Sequence, residues 1–423
     1  MSDTRVMNRW LVVLGAILIQ LCLGAIYAWS VFTPALISAG WSKVQTQVVF
    51  SVGLASFAAV MVFAGKLLKT WGPKRLAMSG GLVLGTGYAL AGLLGGTSFP
   101  VLLLFIGIVG GAGIGLGYVV PIAVGMRWFP DRKGMITGLA VAGFGFGAMG
   151  WVKLAGAWGH LIANIGLSGT FIVYGIAFAV LVFIGGIWMV MPPEGWLPKG
   201  YVPPEAEQAK ENGKPAATVL AQGAGMLKTY QFYLIFIAFA ISAGAGLMSI
   251  GLMKLYPMEA LQQSGFTELE ASGIAGTAMA VFFSIANGLG RIIWGTLSDK
   301  LGRRVSIFLM CTIQGFALLG FTVMAGTEFS LYLGAAVIGF NFGGNFSLFP
   351  TITADTFGAD NVGQNYPYVF LAYGVGGIFG PILGGVLGDL GNFPLAFTIC
   401  AGLCLLGGFC IASLEPLGGK KNK

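Results

Sequence analysis

Apolar runs of about twenty residues recur from one end of the chain to the other, each closed by a short polar or glycine-containing segment. A helix needs a run of that length to cross a hydrocarbon core about 30 Å thick. The pattern predicts twelve spans, near residues 10–37, 46–68, 76–95, 99–124, 134–158, 169–191, 231–257, 270–297, 304–326, 330–354, 366–389 and 394–414. The longest polar interruption, residues 192–222, is rich in Pro, Glu and Lys and reads as a flexible linker. It leaves six spans on each side. The expected organisation is a first six-helix bundle over residues 1–191, a cytoplasmic linker over 192–230 and a second six-helix bundle over 231–423. The first apolar run is too long for the core of a cleaved leader, so it reads as a retained helix.

Composition agrees with that pattern. Of 423 residues, 56% are hydrophobic and only 9% charged, against roughly a quarter charged in soluble domains. The net charge of +8 raises the question of nucleic acid, and its distribution answers it. With both termini and the linker on the cytoplasmic side, the basic residues of that side are Arg5, Arg9, Lys66, Lys69, Lys74, Arg75, Arg127, Arg132, Lys133, Lys199, Lys210, Lys214, Lys228, Lys300, Arg303, Arg304, Lys420, Lys421 and Lys423. Only Lys43, Lys153 and Lys254 fall outside, and Arg291 belongs to neither side. This is the bias that orients membrane proteins. Spread over many short segments, it makes no nucleic-acid face. The expected setting is the inner (plasma) membrane, with a lipid bilayer as surroundings and a monomer as the functional unit.

The five cysteines lie within apolar runs without a CxxC pair, so they read as small hydrophobes and not as disulfides or metal ligands. No cofactor is called for. Two glycine-rich stretches, GIVGGAGIGLG (residues 107–117) and GFGFGA (143–148), imitate phosphate loops. A phosphate loop joins a strand to a helix at a solvated turn, whereas these lie inside spans. They read as surfaces for close helix packing.

The halves echo one another. GKLLKTWGPKR (65–75) follows the second span, and GTLSDKLGRR (295–304) follows the eighth. Each has Gly, then Leu two positions on, then a second Gly seven positions from the first, then paired basic residues. This resembles the G-x-L-x-D-x-x-G-R-R/K loop of the major facilitator superfamily. The resemblance implies an all-α membrane protein of twelve transmembrane helices in two six-helix, pseudo-symmetric halves. It also implies a conformational role for Asp299, Arg303 and Arg304. In the first copy Lys69 stands where the acid belongs.

LGAIYAWSVFTPAL (23–36), RWFPDRKGMITGLAVAGFGFGA (127–148), GFNFGGNFSLFPTITADTFGADNVGQNY (339–366) and LAYGVGGIFGP (371–381) resemble the oxalate/formate antiporter branch of that superfamily, itself related to the monocarboxylate transporters. The resemblance implies alternating access around a site between the halves, near the bilayer midplane. It also gives Arg291 a reading. Arg291 precedes Asp299 by eight residues, about 12 Å into the core at 1.5 Å per residue. A cation there costs somewhere between roughly 2.5 and 17 kcal/mol unless it faces a polar cavity or a partner. Its own span carries no other Asp or Glu deep in the core. The family implies a carboxylate clamp, for which the planar guanidinium fork is suited. The competing reading is a structural Arg paired with a carbonyl or with an acid on another span.

Asn287 sits one turn earlier on the same face. Monocarboxylate transporters of animals commonly have Asp there, which takes part in proton coupling; Asn cannot titrate. Tyr373 occupies a place where oxalate exchangers have Lys. Two cations suit a dianion and one suits a monoanion, because unmatched buried charge is penalised. The expectation is therefore a secondary transporter of a small monocarboxylate (lactate, pyruvate, formate or acetate class), with oxalate:formate antiport as the alternative. Coupling is to protons or to exchanged anions. Tyr27, Tyr118, Asn345 and Tyr373 lie within spans and can hydrogen-bond an anion without adding charge. The same residues also suit interhelical packing. Phe342 and Phe346 read as packing residues or as an apolar wall. His160, the lone histidine, reads as an exposed loop residue. Asp389 and Glu259 are weak candidates for a proton site. A membrane enzyme finds no support: no Ser/His/Asp set, metal cluster or intact phosphate loop is legible.

Overall fold

A computed structural model describes residues 7–129, 133–193, 195–198, 200, 223–357 and 362–415. Twelve long helices account for most of them. They are α1 (Arg9–Val31), α2 (Lys43–Trp71), α3 (Pro73–Gly95), α4 (Phe99–Leu102, Leu103–Gly110 and Gly111–Trp128 in succession), α5 (Lys133–Ala155) and α6 (Leu161–Ile187). The second set is α7 (Tyr230–Leu252), α8 (Glu268–Leu301), α9 (Arg303–Met324), α10 (Glu328–Phe357), α11 (Val362–Asp389) and α12 (Phe393–Ala412). Eleven of these are long and apolar enough to cross a membrane. The twelfth, α10, falls short because it carries buried Asn341 and Asn345 together with Gly339, Gly343 and Gly344. Polarity there faces protein, which is where a spanning helix tolerates it.

The pseudo-symmetry is written in the packing. Within the first set α1 packs on α5, α2 on α4, α3 on α4 and α3 on α6. Within the second, α7 packs on α11, α8 on α10, α9 on α10 and α9 on α12. Adding six to each number turns one list into the other. The two principal contacts between the sets, α2 with α11 and α5 with α8, exchange under the same operation. The repeated loop motif shares its backbone geometry as well. Gly72 has φ 77° and ψ 159°, and Gly302 has φ 84° and ψ 152°. Only glycine adopts that region cheaply. It breaks α2 and α8 so that the next residue opens the following helix.

Three predicted spans differ in outline. The first ends at Val31, and Thr33–Ser38 forms a separate short helix with Pro34 in its first turn. The sixth starts at Leu161, and Gly166, at φ 68°, kinks it. The seventh stops at Leu252; Lys254 then leads into a second helix, Leu255–Gln263. Residues 201–222 of the expected linker lie outside the described residues, as do Arg5, Arg132, Lys199, Lys210, Lys214, Lys420, Lys421 and Lys423. The glycine-rich stretches pack helix on helix. A Cβ on Gly113 would lie 2.8 Å from the Gly80 carbonyl, and one on Gly115 2.7 Å from the Phe57 carbonyl.

Candidate functional site

Local helix geometry departs from the α form in the helices that carry the candidate residues. Residues Gly24–Val31 of α1 are 3₁₀ and include Tyr27. Leu103–Gly110 of α4 is a π segment and precedes Tyr118. Ala278–Phe283 of α8 is another, one turn before Asn287. Such segments re-aim side chains, and they concentrate at functional sites.

Arg291 is 0% exposed. Its Nε donates to Asn287 Oδ1 at 3.2 Å, the i,i+4 contact expected on one helix face. Its carbon Cζ lies 3.9 Å from the centre of the Phe346 ring and 5.7 Å from that of Phe144. Both terminal nitrogens, Nη1 and Nη2, are buried without a hydrogen-bond partner. The ion pairs among the described residues involve Lys43, Glu259, Asp299, Arg303 and Asp355, and none reaches Arg291. An uncompensated guanidinium in low dielectric is costly. The π faces of two rings offset part of that cost, and four donor hydrogens remain.

The other residues packed around Arg291 are aromatic. The Tyr27 and Tyr373 hydroxyls meet at 3.1 Å and join α1 to α11. Tyr27 and Tyr118 come within interaction range of the guanidinium. Tyr373 stacks on Phe370 and meets Phe57 and Phe346 edge-on. Tyr118 packs edge-on against Phe57 and Phe144 and is stacked on Phe370. The cage thus brings together Arg291, Asn287, Tyr27, Tyr118 and Tyr373 from α8, α1, α4 and α11. Asn345 is buried nearby on α10, but its Nδ2 donates to the Phe342 carbonyl of its own helix at 3.0 Å and only Oδ1 is without a partner. Phe342 contacts Tyr27 with ring centres 5.5 Å apart.

Several lining residues were not singled out in sequence: Phe57, Phe144 and Phe370. Nothing distinguishes them from the other phenylalanines of the spans. Gln20 was missed too. Its Nε2 donates to the Tyr118 carbonyl at 3.2 Å and its Oε1 is buried without a partner. A glutamine in the middle of an apolar run was the available signal.

Away from the cage, Asp299 pairs with Arg303 at 2.6 Å, and Arg303 also reaches Asp355 at 3.2 Å and Ser298. Arg304 takes a different role: its Nη2 donates to the Ala412 carbonyl at 2.6 Å, at the C-terminal end of α12, where a cation suits the helix dipole. At the opposite end, Asp389 and Glu259 are committed to structure. Asp389 Oδ1 and Oδ2 accept from the backbone N–H groups of Lys43 and Val44 at 2.8 and 3.0 Å, and Lys43 Nζ reaches Glu259 at 3.4 Å. His160 is exposed, with φ 48°, at the start of α6.

Comparison with known proteins agrees with this architecture. A family model described as Major Facilitator Superfamily matches residues 12–366 and 258–423. The chain is 30% identical over 377 residues to the uncharacterized MFS-type transporter YhjX of Escherichia coli (strain K12), covering 88% of this chain and 86% of that one. It is 26% identical over 400 residues to the oxalate:formate antiporter of Oxalobacter formigenes, covering 93% and 88%. It is 24% identical over 515 residues to the apicoplast pyruvate carrier 1 of Toxoplasma gondii, covering 100% and 92%. Twelve helices repeating as six and six, the doubled glycine-ended loop and a family match along the whole chain make this protein a multi-span transporter of the Major Facilitator Superfamily.

Proposed function

We propose that this transporter carries small monocarboxylates of the lactate, pyruvate, formate or acetate class by alternating access, and that Arg291 is the carboxylate clamp. The observation that carries the reading is the guanidinium itself: fully buried, unpaired with any acid among the described residues, and with both Nη groups unsatisfied. A carboxylate meeting those two groups would neutralise the charge and fill the donors at once. Asn287 holds Nε and so fixes which edge of the fork faces the chamber. Tyr27, Tyr118 and Tyr373 supply neutral donors, while Phe144, Phe346 and Phe370 form an apolar wall for the substrate's carbon end. Asn345 belongs to the same shell through its free Oδ1. With one permanent cation in the cage, a monoanion balances the charge and a dianion leaves an excess.

The cage joins residues 1–191 to residues 231–423, which act as the two moving bodies, with residues 192–230 as the linker between them. Tyr27 and Tyr373 meet across that division. Asp299 and Arg303 then brace the cytoplasmic side of the second body, and Arg304 ties α9 to α12. The setting is the cell inner (plasma) membrane with both termini cytoplasmic, and the monomer is the working unit. Charge moves with a proton or against a second anion; the cage itself holds no carboxylate to take the proton.

Oxalate:formate exchange is the second reading, favoured by the similarity to the Oxalobacter formigenes protein. Radiolabelled lactate, formate and oxalate uptake into proteoliposomes, with and without a pH gradient and internal counter-anions, separates the two. Saturable monocarboxylate flux is expected. The change Arg291→Lys keeps the charge but loses the fork, worth about 1.5–3 kcal/mol for charged hydrogen bonds, or about 10- to 100-fold in uptake. Near-normal flux in that variant would remove the clamp.

A further inference from the structure

The end of the molecule that carries Lys43 holds a second cationic cluster that the central cage does not use. Lys153, near the C-terminal end of α5, donates from Nζ to Thr277 Oγ1 on α8 at 2.8 Å. Lys254, between α7 and the helix Leu255–Gln263, donates to the Ser272 carbonyl at 2.6 Å and to Ser272 Oγ at 2.8 Å. Gly276 lies between: a Cβ there would stand 3.4 Å from Lys254 Nζ. Two ammonium groups, one from each set of six helices, thus converge on the same six-residue stretch of α8, Ser272 to Thr277.

Lys254 is only 8% exposed. Neither lysine forms an ion pair among the described residues. Of the nearby acids, Glu259 is engaged with Lys43, Glu270 with Thr267, and Glu328 with Tyr332, whose hydroxyl reaches Thr277 from α10, while Glu268, one turn before Ser272, is exposed at the start of α8 and pairs with neither lysine. An ammonium has three donor hydrogens. The two groups together have three left after the bonds above, all at a protein seam with reduced dielectric. Like charges held there call for an anion between them.

We propose that Lys153 and Lys254 form a second anion site, at the outer end of the α5–α8 seam, which takes the same small carboxylate as the central cage before or after its passage. This rests on the carboxylate reading of the central site. The bound carboxylate bridges the two ammonium groups and accepts their free hydrogens. Because the two lysines come from opposite halves, the anion also bears on whether that seam stays closed.

The two sites differ in their response to pH. Burial, together with the charge of Lys153, pushes the Lys254 ammonium down to about 8. The sign follows from linkage. Below pH 8 Lys254 is charged and the site binds at full strength. Above it, the empty site loses its proton while a bound anion retains it. Affinity therefore falls as pH rises, approaching about tenfold per pH unit, with uptake of a proton on binding. Lys153, Ser272 and Gly276 face Lys254, and Glu328 lies beyond Tyr332 and Thr277, so no carboxylate offsets the repulsion. The arginine of the central cage does not titrate in this range.

Equilibrium binding of radiolabelled lactate to the purified full-length protein tests this, with sodium chloride as a competing arm to separate a carboxylate site from a general halide site. Wild type is expected to bind two lactates. Arg291→Gln should bind one, with affinity that weakens above pH 8. The double variant Lys153→Gln, Lys254→Gln should also bind one, without that pH dependence. Loss of all binding in Arg291→Gln, or survival of its residual binding in the triple variant, overturns the second site. Displacement of that residual lactate by chloride at equal concentration overturns its carboxylate preference. Arg291→Gln matching wild type in stoichiometry, with binding abolished by the lysine pair, removes the central reading and leaves the outer site standing. Should the neutral lysine variants not fold, Lys254→Arg in the Arg291→Gln background keeps the charge but abolishes titration near pH 8; a pH dependence that persists there also overturns the assignment.

Discussion

At the scale of single residues, the proposed carboxylate binding reduces to one guanidinium and what is allowed near it. Asn287 accepts from Arg291 Nε through a neutral oxygen. Replacing it by Asp would put a carboxylate on the same contact, about 3.2 Å away, and charge-assisted bonds of this kind are roughly twice as strong as neutral ones. The internal acid would then satisfy the arginine. Asn287→Asp is expected to weaken lactate binding at least about tenfold, read as Kd by equilibrium binding; an unchanged Kd would count against the requirement for an unpaired clamp. The complementary change is Tyr373→Lys. Tyr373 is buried and faces Tyr27 across the cage, so a lysine there adds a second cation. The ratio of oxalate to lactate uptake should rise by an order of magnitude, and a ratio that stays put would defeat the charge-count reasoning.

Arg291 was legible in the sequence because a permanent charge in an apolar run is a local anomaly. Its link to Asn287 was legible because residues four apart share a helix face. Phe57, Phe144 and Phe370 were not. A membrane helix is apolar all round, since lipid and protein interior are equally greasy, so hydropathy does not tell which phenylalanine faces the cage. Nor does it show that Asn345 spends its amide on the Phe342 carbonyl.

At the scale of helices, glycines set the separations. Gly343 of α10 packs directly on the Asn287 carbonyl of α8, and Gly145 of α5 stands where a Cβ would lie 3.0 Å from Gly288 N and 3.3 Å from Arg291 Nε. Arg291 is therefore fixed relative to α10 and α5 by backbone contact on both flanks. Gly343→Ala would drive a methyl into the Asn287 carbonyl, and overpacking of this kind costs about 1–3 kcal/mol. The expected result is a lower midpoint in thermal unfolding, together with weaker lactate binding, since Asn287 and Arg291 move with α8. A variant with wild-type stability and affinity would show that α8 and α10 separate freely. Sequence spacing foretold that the glycines pack helices; it did not say which helix meets which.

At the scale of the molecule, contacts between the two sets of helices run from the Lys43 end to the Tyr27–Tyr373 pair. Asp389 of α11 caps the first turn of α2, Lys43 reaches Glu259, and Ser51 lies buried against the Ile378 carbonyl. A carboxylate on a helix N-terminus supplies both acceptors and favourable charge. Asp389→Asn removes the charge and one acceptor, worth about 1–2 kcal/mol, or a factor of about 5–30 in a two-state balance. A cysteine placed at Ser51 should then react severalfold faster with a membrane-impermeant thiol reagent. Equal labelling with and without Asp389 would mean that this cap does not bias opening. The two acids weighed as proton sites, Asp389 and Glu259, are bound up in this latch.

The sequence by itself determined the membrane class, the count of twelve long helices, the six-plus-six repeat and the presence of Arg291 within an apolar span. Those follow from runs, charges and motifs, which are local properties of the chain. Only the tertiary structure decided that Tyr27 meets Tyr373, that Phe346 lies under the guanidinium, and that Lys153 and Lys254 turn toward one stretch of α8. These pairings join residues from different spans, and the rotation of each helix about its own axis selects them. In lipid that rotation is set by glycine contacts and buried hydrogen bonds rather than by a contrast between polar and apolar faces.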